Sequence, residues 1–343
     1  MSTHNGLPLG PLTYGCTAWR ESSQRAANAY ENGRKLWTKT DLRDIEEQLG
    51  DSINRQVFVV RSIDGLDIPI MNPCYGETKS IWKPYVKFKE YWRLVKEQPD
   101  GPTETYLCSY LVDWKNRTSR DFRAVIDDPR AIFAEVQLRW RQSSSCALLR
   151  RQLGALLGTK KVTKLICFGL GDMCRQPPEW YMRQTASTPG SVTENVRAST
   201  LQHSIAMTMA EFCRNKDGAG DVQLLAQDPD YTPTTEEILR DSGFSIVGRF
   251  GAGGFAEIDD ETLVFSAFVE APLKQIIADI ARPALIISTG PDTFNNSEKA
   301  WADAESPRTR EMWQSYCRQE YPVSPEDGDM MGKMRNLYIY NRT

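Results

Sequence analysis

Apolar and polar positions follow one pattern up to about residue 158 and another beyond it. In the first half, helical spacing is mixed with short strand-like runs. Residues 1–30 read as loosely structured. Residues 30–49 read as a helix, with Leu36, Leu42, Ile45 and Leu49 apolar and Thr40 and Asp41 available to cap a second start. Two apolar runs, 57–60 and 66–70, flank Asp64-Gly65, a pair suited to a tight turn, so a hairpin is expected. Residues 82–96 read as an amphipathic helix with aromatics inward and lysines solvated, a lid for the sheet edge, and 105–112 as a strand. Asp128-Pro129 opens a helix whose Ile132, Phe133, Val136 and Trp140 share a face, and a Leu-rich helix over 146–157 stops at Gly158.

From Val162 short apolar runs alternate with helical patterns. Strands are expected at 162–168, 222–226, 244–247, 262–268 and 284–288. Between them lie a Pro-rich loop (176–190) and helices at 196–212, 234–241 and from Pro272 onward. Thr234 and Glu237 have capping-box spacing, and Gly243 is placed to end that helix. Strand–helix–strand repetition with nearly continuous apolar strands predicts an α/β fold: a Rossmann-like, doubly wound, mostly parallel sheet. The expected organisation is an N-terminal α+β extension (1–158), a core (159–294) and a charged tail (295–343) with Trp301, Trp313 and Tyr316 and a helix near 306–320.

Composition narrows the function. A net charge of -3 argues against a dedicated nucleic-acid partner. The polar start at 1–12 carries no secretory pattern and no run approaches a membrane span, so the cytoplasm or the nucleus is the expected compartment. The eight cysteines include no Cys-x-x-Cys pair and are expected as reduced thiols. His4 and His203 are the two histidines, which excludes a His-rich metal site. No metal site is expected.

Candidate chemistry gathers at the expected carboxyl edge of the sheet. Gly169 and Gly171 follow the first core strand, where glycines let a ligand approach the backbone, although Cys174 occupies the third position of a Gly-x-Gly-x-x-Gly pattern. Asp172 can take a hydroxyl or an amine, or cap the next segment. Asp228 ends the second strand, where an acid can take ribose hydroxyls or close an Asp-Pro turn. Gln202 can face a ligand or bond a neighbouring loop, and His203 reads as a surface residue. The cluster 251–254 reads as a flexible connection, and Asp259-Asp260-Glu261 as turn residues before a strand. The aromatic and basic residues of 82–96 offer a weaker single-strand nucleic-acid reading, and the catalytic residues stay unassigned.

Several of these motifs occur together in one order. Ile166-Cys167-Phe168-Gly169-Leu170-Gly171, Ser199-x-x-Gln202, Gln227-Asp228-Pro229-x-Tyr231-Thr232, Leu239 with Gly243, and 261–265 resemble the "sensitivity to red light reduced" (SRR-like) family. The N-terminal arrangement around 30–37 looks most like fungal members. Many relatives carry Pro-His-Cys after the fourth strand. Here Ala267-Phe268-Val269 align with it, so a metal or haem role for that pair does not carry over. The resemblance implies a role in signalling or metabolic control and no common reaction.

Two functional classes follow. One is a regulatory or binding protein whose Rossmann-like cleft takes a small ligand or a protein partner. The other is an S-adenosylmethionine-dependent methyltransferase or another nucleotide-cofactor enzyme. Gly169, Gly171, Asp172, Gln202 and Asp228 are the expected ligand contacts for either.

Overall fold

The computed structural model describes residues 12–118, 123–177, 183, 191–216, 221–267, 269–290, 295–296, 299–300, 303–334 and 336–343. The expectations for 1–11 with His4, for Phe268, for Trp301 and for most of the Pro-rich loop (all but 176, 177 and 183) lie outside them.

The chain opens with α1 (Thr17–Glu31) and α2 (Lys39–Gly50), then a hairpin of β1 (Val57–Arg61) and β2 (Asp67–Met71). Next come β3 (Trp82–Phe88), α3 (Tyr91–Val95), β4 (Tyr110–Asn116), α4 (Pro129–Gln142) and α5 (Ser144–Leu157). The alternating part runs β5 (Lys164–Phe168), α6 (Ser191–Asn215), β6 (Gln223–Gln227), α7 (Pro233–Asp241), β7 (Ser245–Ile246), α8 (Gly253–Ala256), β8 (Thr262–Phe265). It ends with α9 (Leu273–Ile280), β9 (Leu285–Thr289), the two-residue strands β10 (Asn295–Asn296) and β11 (Lys299–Ala300), α10 (Pro307–Trp313), β12 (Tyr316–Glu320) and β13 (Leu337–Arg342). No helix among the described residues is long and apolar enough to cross a membrane.

The described chain divides into two compact units. The first holds the described residues of Met1–Lys115, Glu270–Ala281 and Pro291–Ser315, the second those of Asn116–Val269, Arg282–Gly290 and Tyr316–Thr343.

In the first unit, residues 17–31 form α1 rather than a loose lead-in. Its buried face is Trp19, Ser23, Ala26, Ala27 and Tyr30, a helical spacing hidden because most of its members are small. A separate α2 follows, capped by Thr38 rather than Thr40, with the Thr38 hydroxyl accepting from Asp41 N at 3.1 Å. The hairpin forms as expected, Val59 opposite Pro69, with Gly65 at φ +89° in its turn. The helix expected over 82–96 is instead β3, paired with β4, followed by the short α3. Glu90 breaks the run, because its carboxylate accepts from Trp92 N and Arg93 N and starts a new helix.

A buried polar network ties this unit's chain segments together. Asp279 on α9 accepts from Leu36 N (2.7 Å) and Trp37 N (3.2 Å) and pairs with Arg308. Arg308 also donates to Tyr30 O (2.9 Å) and lies 3.9 Å over the Tyr30 ring. Gln275 accepts from Tyr91 N and donates to Glu90 and Ala304 O. Burial raises the Asp279 pKa, and the pairing with Arg308 holds the charge in place.

The second unit is built on a mixed α/β arrangement. Seven of the described strands form one mostly parallel sheet in the order β12-β13-β9-β8-β5-β6-β7. The five strands from β9 to β7 run parallel, and β13 is antiparallel to both of its neighbours. β8 and β9 have no exposed residue, and in β5 Leu165, Ile166, Cys167 and Phe168 are buried, as strands covered on both faces must be. Leu165, Cys167, Leu224, Leu263 and Ile287 join Trp140, Leu149, Leu153, Ile205 and Met209 in the core. Asp128 caps α4 and Gly158 closes α5 at φ +43°, as the sequence predicts.

Two expectations are revised. The cap of α7 is Thr232, which accepts from Thr235 N at 3.1 Å, with Pro233 at the first helical position, so the Thr234–Glu237 box is not used. Residues 306–320 hold only α10, with a Ser306–Thr309 capping box. The chain then turns into β12, and β13 completes the sheet. Tyr321, Met331 and Met334 sit in the core, so this part of the tail is packed.

Replacing Asp279 with Ala leaves two buried amides without their acceptor and takes the charge partner from Arg308. The variant is expected to lose ~3–5 kcal/mol in urea unfolding. A loss below ~1 kcal/mol would contradict a structural role for the network.

Candidate functional site

Parallel pairing places two turns side by side. Phe168 ends β5 opposite Gln227, which ends β6, and Gly169 N extends the ladder to Gln227 O at 3.0 Å. Gly169 and Gly171 both have positive φ, +63° and +84°. Gly171 is also held by space: a Cβ there would lie 2.4 Å from Ser199 Oγ.

Gly171 N donates to Asp228 Oδ2 at 2.9 Å, and Asp230 N donates to Asp228 Oδ1 at 2.9 Å. Asp172 closes the second link: it accepts from Cys174 N and Arg175 N (2.8 Å each) and from Thr232 N (2.5 Å). Met173 N donates to Thr235 Oγ1. A carboxylate from each turn therefore grips the backbone of the other. Segment 124–126 runs alongside, with Ile126 N donating to Cys174 O at 2.7 Å. At the next strand, Ser266 Oγ donates to Phe168 O at 2.9 Å.

Helix α6 backs these turns. Ser199 meets Gly171, and His203, one turn on, is fully buried rather than on the surface. Its Nδ1 lies 2.7 Å from Ser199 O and its Nε2 2.8 Å from Tyr231 OH. Since a carbonyl can only accept, Nδ1 carries the proton and Nε2 accepts from Tyr231. Burial pushes the His203 pKa down to about 4. It is neutral at physiological pH, and its ring nitrogens bond a carbonyl and a phenol rather than a carboxylate. Gln202 keeps its Oε1 buried with no hydrogen-bond donor.

A family model for the SRR1 domain matches residues 146–336, from within α5 to the residue before β13. The chain belongs to the SRR1 domain family. No curated protein and no solved structure matches it. Within the matched range, Ser199, Gln227, Asp228, Tyr231 and Thr232 each make one of the contacts that join the turns to each other, to α6 or to the glycine loop.

Gln227 is a residue whose role the sequence reading passed over. Its side chain accepts from Gly254 N (2.7 Å) and donates to Gly251 O (3.0 Å). A Cβ at Gly248 or Gly254 would lie 1.6 or 2.6 Å from its Oε1. The 251–254 glycines therefore wrap a buried amide and are not a flexible connection, a role only visible once β6 and α8 are adjacent. Asp259 pairs with Lys164 at 2.7 Å and accepts from Glu261 N and Thr262 Oγ1, a turn-closing use.

Burial pushes the Asp228 carboxyl up to about 6. It likewise raises the Cys167 and Cys174 thiols in the SRR1 domain, which keeps them protonated and poor nucleophiles. No group of three or more His, Cys, Asp or Glu among the described residues is placed to hold a metal ion.

The two shifts act on stability in opposite senses. A lowered His203 pKa makes stability fall as pH drops from about 6.5 toward 4. A raised Asp228 pKa makes it fall as pH rises from about 4 toward 6. Asp228→Asn is therefore expected to gain stability over the native chain across that rise, by ~1–3 kcal/mol, the lower end allowing for water at a half-buried carboxylate. Chemical unfolding at several pH values measures it, and a pH-independent difference would contradict it. Tyr231→Phe leaves His203 Nε2 without its donor and is expected to cost ~1–3 kcal/mol.

Proposed function

We propose that this SRR1-domain chain is a regulatory or binding protein that takes a small ligand at the carboxyl edge of its sheet. In this reading the five parallel strands are a Rossmann-like core. β6 and β7 lie on one side of β5 and β8 and β9 on the other, so the strand order reverses between β5 and β8. Open α/β sheets bind ligands outside such a reversal. Gly169 and Gly171 leave β5 there, and the observation that carries the reading is the bond from Gly171 N to Asp228, which brings the glycine turn and the acid of the neighbouring strand together. Gly169, Gly171, Gln202 and Asp228 would border the ligand, and Asp172 would hold the turn. The output would be control of signalling or metabolism through a protein partner in the cytoplasm or nucleus.

A second reading, an S-adenosylmethionine-dependent methyltransferase or another nucleotide-cofactor enzyme, is favoured by the strand-end position of Asp228, since an acid there commonly takes a ribose hydroxyl. Fold alone does not carry the activity, and the two readings share the ligand site.

Thermal unfolding of the purified chain with S-adenosylhomocysteine, nicotinamide dinucleotides, ATP and haem tests the reading. A ligand at about 100 times its Kd is expected to raise Tm by ~4 °C. The shift should vanish in Gly171→Val and in Asp228→Ala. A shift that survives both substitutions in folded protein would place the ligand elsewhere.

A further inference from the structure

The hydrogen bonds at this edge also indicate what kind of ligand it suits. The amides of Gly169 and Gly171, the groups a phosphate would need, are already engaged by Gln227 O and Asp228 Oδ2. Asp172 already accepts from three backbone amides, which hold it in the turn. Acceptor capacity is what is left. Asp228 accepts two hydrogen bonds, and a carboxylate can take about four. Gln202 Oε1 is buried without a donor, an arrangement that costs stability until something donates to it. Gln202 lies three residues after Ser199, the residue pressed against Gly171, and such positions are neighbours on a helix surface.

Resting on the ligand site argued above, we propose that the SRR1 domain recognises a nucleoside through its hydrogen-bond donors, not a phosphate through the glycine turn. The vicinal ribose hydroxyls donate to Asp228, the position where an acid at a second-strand end takes ribose. A further N–H or O–H of the same molecule donates to Gln202 Oε1. Any phosphates point away from the 169–171 turn and add no affinity there.

Calorimetric titration of the full chain with adenosine, 2′,3′-dideoxyadenosine and ATP tests this. Adenosine should bind, the dideoxy compound about tenfold or more weaker, and ATP no tighter than adenosine. Gln202→Leu should weaken adenosine by about tenfold without lowering the melting temperature, since it removes a buried polar group that has no partner. Gln202→Glu keeps the acceptor and should bind adenosine better than Gln202→Leu, which separates a recognition role from a packing one. Absence of adenosine binding overturns the inference. So does ATP binding tenfold tighter than adenosine, or indifference to the ribose hydroxyls and to Gln202→Leu. If those last results come with binding that Gly171→Val abolishes, the ligand site stands and only its chemistry is wrong. If binding persists in Gly171→Val, the site itself is wrong.

Discussion

The hydrogen bond from Gly171 N to the Asp228 carboxylate is the constraint on which this edge of the SRR1 domain depends. It exists because β5 and β6 are parallel neighbours in register, so both strands release their turns at the same height. The Asp172–Thr232 bond repeats the grip in the opposite direction. With both in place, neither turn can move without displacing a buried charge-assisted bond. The glycines follow from the same geometry. Gly171 accommodates Ser199 of α6, and Gly248 and Gly254 accommodate the Gln227 side chain.

Holding polar groups in this position carries an electrostatic cost. Asp228 resists ionisation and His203 resists protonation because both are desolvated. The surrounding bonds offset this in part: each carboxylate accepts backbone amides, and His203 is satisfied on both ring nitrogens. Gln202 Oε1 differs from these: it is a buried acceptor with no hydrogen-bond donor, on the helix that backs the turns. A buried polar group left without a partner calls for an explanation, and a ligand that donates to it would supply one.

Much of this was readable in the sequence where local chemistry decides the outcome. The Asp64-Gly65 hairpin, the Asp128-Pro129 helix start, the stop at Gly158 and the apolar runs of β5, β6, β8 and β9 each carry their own signal. Helix α1 was missed because small Ser and Ala residues make most of its buried face, and 82–96 was misread because aromatic and basic residues suit either period. Strand β12 was hidden because it is a polar edge strand, exposed from Cys317 to Glu320, with no alternation to detect. At the site, the positions of Gly171, Asp172 and Asp228 were legible as strand-end chemistry. The inward turn of His203 toward Tyr231 and the clamp made by Gln227 were not, since both depend on residues brought together only by the sheet.

Amide hydrogen exchange of the full chain, with and without saturating adenosine, tests the central claim most directly. The account predicts slower exchange confined to 169–175 and 228–232, the two turns whose amides the carboxylates already hold. Unchanged exchange in both turns, with protection elsewhere or nowhere, would contradict a ligand site at this edge.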